Sequence, residues 1–233
     1  MNLVLIKTDS NSHHKSGILK RSNGMIKING EYVIERIIRI GRINGIKRVF
    51  CIVNFPDPEL EQYISSNDFG IPAKFIAPHH ESYMHILFAL ASVHNKEPFL
   101  LANINSVFLE SEFSEFVTYS SMLDHADGTI AVTRDINDEK PLGVAMNDED
   151  IILKFNDSKD GYSWFNGGIC YFSPQILYET KNAFLDSMSQ IEQFLQLLIA
   201  GGYILKGFSF AKIIKIENAA DIINADDLIR LNE

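Results

Sequence analysis

Short apolar runs alternate with helical patterns along the first half of the chain. Residues 3–6 and 48–53 form β-rich runs, and residues 30–45 between them place apolar side chains at helical spacing with charges opposite. This order predicts a strand, a helix and a second strand, the unit from which parallel sheets are built. Because runs such as 99–102 are apolar at every position, we expect helices to cover both faces of the sheet.

The alternation continues after the second strand. Asp57 and Pro58 open a predicted helix, and Ser82 caps another. A strand is predicted after each of these helices, at 73–77 after the first and at 98–104 after the second. The first half of the chain therefore predicts a doubly wound sheet.

The second half has a different pattern. Residues 128–133, 142–147 and 151–155 form short strands separated by turns, which indicates an antiparallel excursion. No linker or low-complexity tract divides the chain, so we predict a single domain over 1–233. The remaining predicted elements are a strand at 167–174, a helix at 187–202, strands at 204–210 and 212–216, and a closing helix with Asn218 as its N-cap.

Composition and charge narrow the classes of ligand. The chain has 233 residues, 46% hydrophobic content and a formal net charge of −9, which argues against nucleic acid as a partner. Small phosphorylated ligands stay possible, because a few amides and one or two cations suffice to bind them. The chain has no run approaching the roughly 20 apolar residues that span a bilayer and no signal peptide, so we expect a cytoplasmic protein without a membrane partner.

Five segments, in order along the chain, carry a family resemblance. They are "KINGEYVIERIIRIGRINGIKRVFCIVN", "FLLANINSVF", "TIAVTRDINDEKPLGVAMNDEDIILKF", "FNGGICYFSPQIL" and "IIKIENAADIINADDLIRL". They resemble segments of sugar-phosphate nucleotidyltransferases, in which "fllvnGDvlf" takes the place of the second and "w.DiGTpedl" that of the last. This family joins a nucleotide from a nucleoside triphosphate to a sugar 1-phosphate. The resemblance implies a Rossmann-like three-layer α/β fold, with a mixed, mostly parallel central sheet and a small antiparallel excursion on the sugar side.

Two positions of this pattern bear on metal binding. The family's two magnesium-binding aspartates correspond to Asn105 and Lys215, an amide and an ammonium. The resemblance therefore implies no metal at the usual site, with Lys215 able to pair with a phosphate instead. Magnesium is expected only if the protein is catalytic, through a displaced site built from two of several nearby acids. Those acids are Asp9, Glu110, Glu112, Asp157 and Glu217.

The loop after the first strand also departs from the family. The family binds triphosphate there in a glycine-rich loop, whereas "KTDSNSHHKSGILKRSNG" has no glycine before Gly17. Either side-chain donors replace the backbone amides, or the loop is an ordinary polar surface loop. The donors that we assign to nucleotide binding under the first alternative, together with Asn105, are Ser10, Ser12, Lys15 and Lys20.

The segment "WFNGGICYF" matches the family's sugar-binding strand. Asn166 offers a donor and an acceptor to sugar hydroxyls, and Gly167 and Gly168 allow close backbone approach, so we assign all three to substrate binding with Lys215. The alternative is that the glycines only form a bulge before a buried strand. Trp164 similarly either stacks on a sugar or forms a partly buried rim.

Two functions remain open from the sequence. The first is nucleotidyl transfer to a sugar 1-phosphate, in nucleotide-sugar or polysaccharide metabolism. The second is a non-catalytic subunit that binds a nucleotide sugar, or that regulates or assembles with a partner. The expected partners are a nucleotide or sugar phosphate, and either a second copy of this chain or a catalytic relative.

Overall fold

A computed structural model describes most of the chain. The described residues are 1–7, 23–53, 57–76, 87, 90–91, 97–135, 137, 141–156, 160–180, 188 and 191–232.

Thirteen strands and five α-helices are present among these residues. The strands are β1 (Asn2–Lys7), β2 (Lys27–Ile28), β3 (Glu31–Tyr32), β4 (Val49–Val53), β5 (Ala73–Ile76), β6 (Phe99–Asn103), β7 (Ser106–Val107), β8 (Gly128–Thr133), β9 (Gly143–Met146), β10 (Ile152–Asn156), β11 (Trp164–Phe172), β12 (Leu205–Phe210) and β13 (Ile214–Lys215). The helices are α1 (Val33–Ile43), α2 (Pro58–Ser66), α3 (Glu110–Met122), α4 (Ile191–Ala200) and α5 (Ala219–Asn232).

The main sheet is mixed and mostly parallel, as predicted. Its order is β10-β9-β11-β6-β1-β4-β5, with β8 added to β11 and β12 added to β8. Strand β1 is parallel to β4 and β6, whereas β11 is antiparallel to β6 and β8. The chain moves outward from β1 to β4 and β5, and then returns to β6 on the other side of β1. The carboxyl ends of β1 and β6 therefore form a topological switch point, where open α/β sheets bind ligands.

The sheet separates two apolar cores. Leu3 and Leu5 of β1 belong to the cluster that includes buried residues of α1, α2, α3 and α5, whereas Val4 and Ile6 belong to the cluster that includes α4. Successive side chains of a strand point to opposite faces, which explains this division. The predicted layer of helices on each face is thus confirmed.

Two of the three helix caps predicted from sequence lie in the described residues, and both are present. Asp57 accepts a hydrogen bond from Leu60 N at 3.2 Å at the start of α2. Asn218 Oδ1 accepts from Ala220 N and Asp221 N at 2.9 and 3.2 Å at the start of α5. Ser82 and most of its predicted helix lie outside the described residues.

The predicted antiparallel excursion is confirmed for β9 and β10 but is wrong for β8. Strand β8 is an inner strand of the main sheet, antiparallel to β11 and parallel to β12. All six of its residues are buried, which a strand in a small exposed hairpin would not be. Within the described part of the chain, no helix combines the length and the apolar character that crossing a bilayer requires.

Candidate functional site

The candidate site lies at the switch point, where the carboxyl ends of β1 and β6 lie beside the start of β11. Ile104 N donates to Ile6 O at 2.9 Å, which joins the exits of β6 and β1. Ile169 of β11 pairs with Ala102 of β6, so Gly168 lies opposite Asn103. The site therefore contains the carboxyl ends of β1 and β6 and the start of β11.

The two glycines of β11 form a bulge. The pairing of β11 with β8 shifts register between Asn166 and Cys170, and Gly168 has a φ of +75°. Asn166 Oδ1 accepts a hydrogen bond from Gly168 N at 2.9 Å, which holds the bulge closed. The alternative in which the glycines serve a bulge thus has direct support. The Nδ2 group of Asn166 has no acceptor among the described residues.

Asn103 is a site residue that the sequence analysis missed. It is half-buried at the last position of β6, on the same sheet face as Leu101 and Asn166. The side-chain amide of Asn103 makes no hydrogen bond with any described residue. A signal was present in the sequence, since Asn103 is the single polar residue of the strand "FLLAN".

Replacing Gly168 by alanine is expected to lower the free energy of unfolding by about 2–3 kcal/mol. A Cβ there would lie 2.4 Å from Asn103 Nδ2, and the backbone would be held at a positive φ. Urea denaturation measures the loss. The matched control is Gly161→Ala, which has a φ of +80° but no atom within 4 Å of its Cβ and should lose only about 1 kcal/mol. Equal losses in the two variants would contradict the close approach of Asn103.

Asn105 and Lys215 are brought together by a short two-stranded ladder. Lys215 of β13 pairs with Ser106 of β7, and Ile216 N donates to Asn105 O at 2.9 Å. The buried Asn105 side chain donates from Nδ2 to Ile216 O at 3.0 Å. Lys215 Nζ lies 2.8 Å from Glu217 Oε1, and both side chains are partly exposed.

A buried aspartate fixes the segment that carries Lys215. Asp221, which is 5% exposed, accepts hydrogen bonds from Glu217 N and Asn218 N at 2.8 and 2.9 Å. Asn137 Nδ2 donates to Asp221 Oδ1 at 2.7 Å and to Lys215 O at 3.0 Å, and Asn137 Oδ1 accepts from Lys215 N at 3.1 Å. The loop after β8 and the turn after β13 are therefore joined directly beside Lys215. The sequence analysis singled out neither Asn137 nor the role of Asp221.

Comparison with known proteins identifies this architecture. No protein-family model and no curated protein matches the sequence. Among solved structures, an inositol-1-phosphate CTP transferase from T. maritima is similar at a TM-score of 0.79 and 17% identity, covering 98% of this chain and 96% of that one. The chain has the nucleotidyltransferase fold. HddC from Yersinia pseudotuberculosis is similar at a TM-score of 0.73 and 15% identity, covering 97% and 99%. CMP:2-keto-3-deoxy-manno-octonic acid synthetase complexed with CTP is similar at 0.71 and 14%, covering 100% and 99%.

The residues at positions 105 and 215 do not fit the magnesium ion that the resembled family holds there. The Nδ2 group of Asn105 donates to a backbone carbonyl, and Lys215 brings an ammonium to the position where the resemblance implies a carboxylate. At an effective dielectric near 20, each unit charge at ~4 Å is worth about 4 kcal/mol, so these exchanges strongly disfavour a dication. No group of three or more His, Cys, Asp or Glu side chains within the described ranges is arranged to hold a metal ion.

Each of the described acids proposed for a displaced site makes a contact with another part of the protein. Glu110 lies 2.6 Å from Arg39, whose hydrogen bond lowers the pKa of the Glu110 carboxyl. Burial raises the pKa of Glu112, although its Oε1 accepts from Ala211 N at 2.6 Å. Glu217 pairs with Lys215. The structure does not bring these three acids together as a ligand set.

Most of the loop after β1 lies outside the described residues. The predicted donors Ser10, Ser12, Lys15 and Lys20 lie outside the described residues, as do Asp9 and Asp157. Their assignment to nucleotide or metal binding stays a prediction. After this loop, the described chain resumes with a short 3-10 turn over Asn23–Met25.

Proposed function

We propose that this protein binds a nucleotide sugar at the switch point without a divalent cation, and that it is a non-catalytic binding subunit of the nucleotidyltransferase fold. The observation that supports the proposal is that an ammonium, Lys215, and the locked Asn105 amide lie close together at the two positions where the resemblance implies metal-binding aspartates. An ammonium pairs directly with a phosphate and supplies part of the charge that a bound cation would otherwise supply.

Lys215 has a position suited to this exchange. Its ion pair with Glu217 is partly exposed, so the pair itself contributes little stability and opens at low cost. A diphosphate carries more negative charge than one carboxylate and offers several acceptor oxygens to the same ammonium. Replacing Glu217 by a phosphate as the partner of Lys215 is therefore favourable.

Neutral amides complete the proposed site. Asn103 and the Nδ2 group of Asn166 lie on the same sheet face, on either side of Gly168. Amides both donate to and accept from hydroxyl groups, which suits them to a sugar ring. The proposed ligand is thus held by one cation for its phosphates and by two amides for its sugar.

A second candidate function is nucleotidyl transfer itself. The observation that favours it is the extent of the similarity to a CTP transferase, which covers 98% of this chain. Fold alone does not decide activity. Transfer would require metal ligands from the part of the chain that the structure leaves undescribed.

Binding without metal is tested by isothermal titration with UDP-glucose, dTDP-glucose, GDP-mannose and CMP-sialic acid, each in EDTA and in Mg²⁺. We expect at least one to bind, with affinities in the two buffers that agree to within about twofold. The variant Lys215→Ala should weaken binding about 10- to 50-fold, because it removes a charge-assisted contact to phosphate. Lys47→Ala removes an equal charge at the exposed amino edge of the sheet and should leave binding unchanged.

Three results would overturn the proposal. The first is an affinity that disappears in EDTA, and the second is Lys215→Ala binding as tightly as the unmodified protein. The third is release of pyrophosphate from any pair of nucleoside triphosphate and sugar 1-phosphate, which would establish the transferase instead.

A further inference from the structure

An arginine stacked on a tryptophan lies beside the proposed sugar site. The Arg134 guanidinium carbon is 4.4 Å from the centre of the Trp164 ring, within the range of a cation–π contact. Phe165 pairs with Thr133, which places the exit of β8 next to the start of β11. Trp164 packs on the second apolar cluster, the one on the sheet face of α4.

The loop that carries Arg134 is anchored on both sides of it. Thr133 Oγ1 donates to Ala211 O at 3.4 Å, and Asp135 pairs with Lys212 at 2.8 Å. Further along, Asn137 is bonded to the backbone of Lys215. These contacts hold the backbone of the loop, and the Trp164 ring holds the side chain, so Arg134 is positioned in advance of any ligand.

The contact with Trp164 leaves hydrogen-bond donors of the guanidinium unused. A guanidinium has five N–H donors, more than a contact with one ring face can take up. Arg134 is exposed and makes no hydrogen bond or ion pair with any residue that the structure describes. Its sequence neighbour Asp135 is already paired with Lys212. Among the described residues Arg134 therefore has no acidic partner, and its planar fork is of the kind that binds carboxylate or phosphate with two hydrogen bonds.

The position of Arg134 and Trp164 relative to Asn166 determines which part of a ligand the guanidinium would contact. Trp164 and Asn166 are two residues apart on one strand, before the bulge, so both lie on one sheet face about 6–7 Å apart. That separation corresponds to a step across one sugar ring. A sugar whose hydroxyls meet Asn166 would therefore have one of its ring substituents at Arg134.

We infer that Arg134 and Trp164 form a subsite for an anionic substituent, a carboxylate or a phosphate, on the sugar ring of the ligand. The inference rests on the proposed function and extends it to a substrate class, acidic or phosphorylated sugars. Trp164 then serves as the support for the arginine, with at least one of its ring faces already occupied, rather than as a platform for the sugar.

The experiment compares ligand pairs that differ only by the anionic substituent. UDP-glucose and UDP-glucuronic acid form the carboxylate pair, and glucose 1-phosphate and glucose 1,6-bisphosphate form the phosphate pair. Each is titrated calorimetrically into the full-length protein, Arg134→Gln and Arg48→Gln. Arg48 is exposed at the amino edge of β4, so its variant carries the same charge change at the opposite edge of the sheet.

We expect the unmodified protein and Arg48→Gln to bind the member of at least one pair that carries the added carboxylate or phosphate about tenfold more tightly than the member that lacks it. Arg134→Gln should lose this preference while keeping its affinity for the member without the added group within about twofold. Equal affinities within both pairs, or a preference that survives in Arg134→Gln, would overturn the subsite and leave the proposed function standing. Absence of binding by all four ligands would overturn the subsite, and it would overturn the proposed function as well only if dTDP-glucose, GDP-mannose and CMP-sialic acid also fail to bind.

Discussion

Replacing Asn105 by aspartate is expected to lower the free energy of unfolding by about 2–4 kcal/mol at neutral pH. The Asn105 Nδ2 group donates to Ile216 O at 3.0 Å from a buried position. A carboxylate would lose this hydrogen bond, place an oxygen against the carbonyl oxygen, and bury a charge. The variant is therefore a direct test of whether this position tolerates the acid that a metal site requires.

The loss should depend on pH. Burial and the facing carbonyl disfavour the ionised form, so the pKa of the introduced carboxyl in the folded state lies above its unfolded value. The penalty is then complete above the folded-state pKa and shrinks as pH falls through it, because the protonated acid can donate to Ile216 O. Urea denaturation at pH 8, 6.5 and 5 should show the gap to the unmodified protein narrowing in that order.

A matched control separates burial from the loss of the bond. Asn67 Nδ2 donates to Tyr63 O at 2.8 Å, but on the surface. Asn67→Asp should cost about 1 kcal/mol or less, with little change over the same pH range. If Asn105→Asp were as stable as the unmodified protein and gained further stability from Mg²⁺, the position would be a metal site that lacks one ligand, contrary to our proposal.

Replacing Asp221 by alanine is expected to lower the free energy of unfolding by about 2–4 kcal/mol, the second large effect. Its carboxylate accepts from the backbone N–H groups of Glu217 and Asn218 and from the Asn137 amide. All three donors would lose their shared acceptor, and two of them belong to the turn that joins β13 to α5. The same change should weaken nucleotide-sugar binding, because this turn and Asn137 position Lys215.

The control lies on the same helix. Asp227 pairs with Arg230 at 2.6 Å on an exposed face, so Asp227→Ala should change stability by only about 0.5 kcal/mol. Chemical denaturation of both variants, followed by titration with the ligand that binds the unmodified protein, distinguishes the two roles of Asp221. Equal stability of the two variants would show that the buried carboxylate does not organise the turn.

Much of the fold was predictable from local sequence. The period of apolar residues predicted α1, and the Asp57 and Asn218 caps predicted the starts of α2 and α5. Strand β8 was placed wrongly in the small excursion because its alternation and turns look the same in a hairpin and in an inner strand. What distinguishes the two is the parallel partner β12, whose sequence lies more than seventy residues further along the chain.

The candidate site was predictable in part. The segment pattern directed attention to Asn105, Asn166 and Lys215, whereas Asn103 and Asn137 were not singled out. An asparagine in a short loop has no local pattern that indicates a partner. The bonds of Asn137 to Lys215 and Asp221 exist only because β8 and β13 end at the same edge of the sheet.

The residue pattern along the chain is sufficient to predict a layered α/β protein. It also indicates that the elements follow the order of the sugar-phosphate nucleotidyltransferases and that the two metal-binding aspartates of that family are replaced. Those properties depend on neighbours a few positions apart, and on which side chains carry charge. The locked amide of Asn105 joins residues 111 positions apart, and the Arg134 stack depends on two strands meeting in register. Such contacts form when the sheet assembles, because distant segments acquire a common edge only through the pairing of strands.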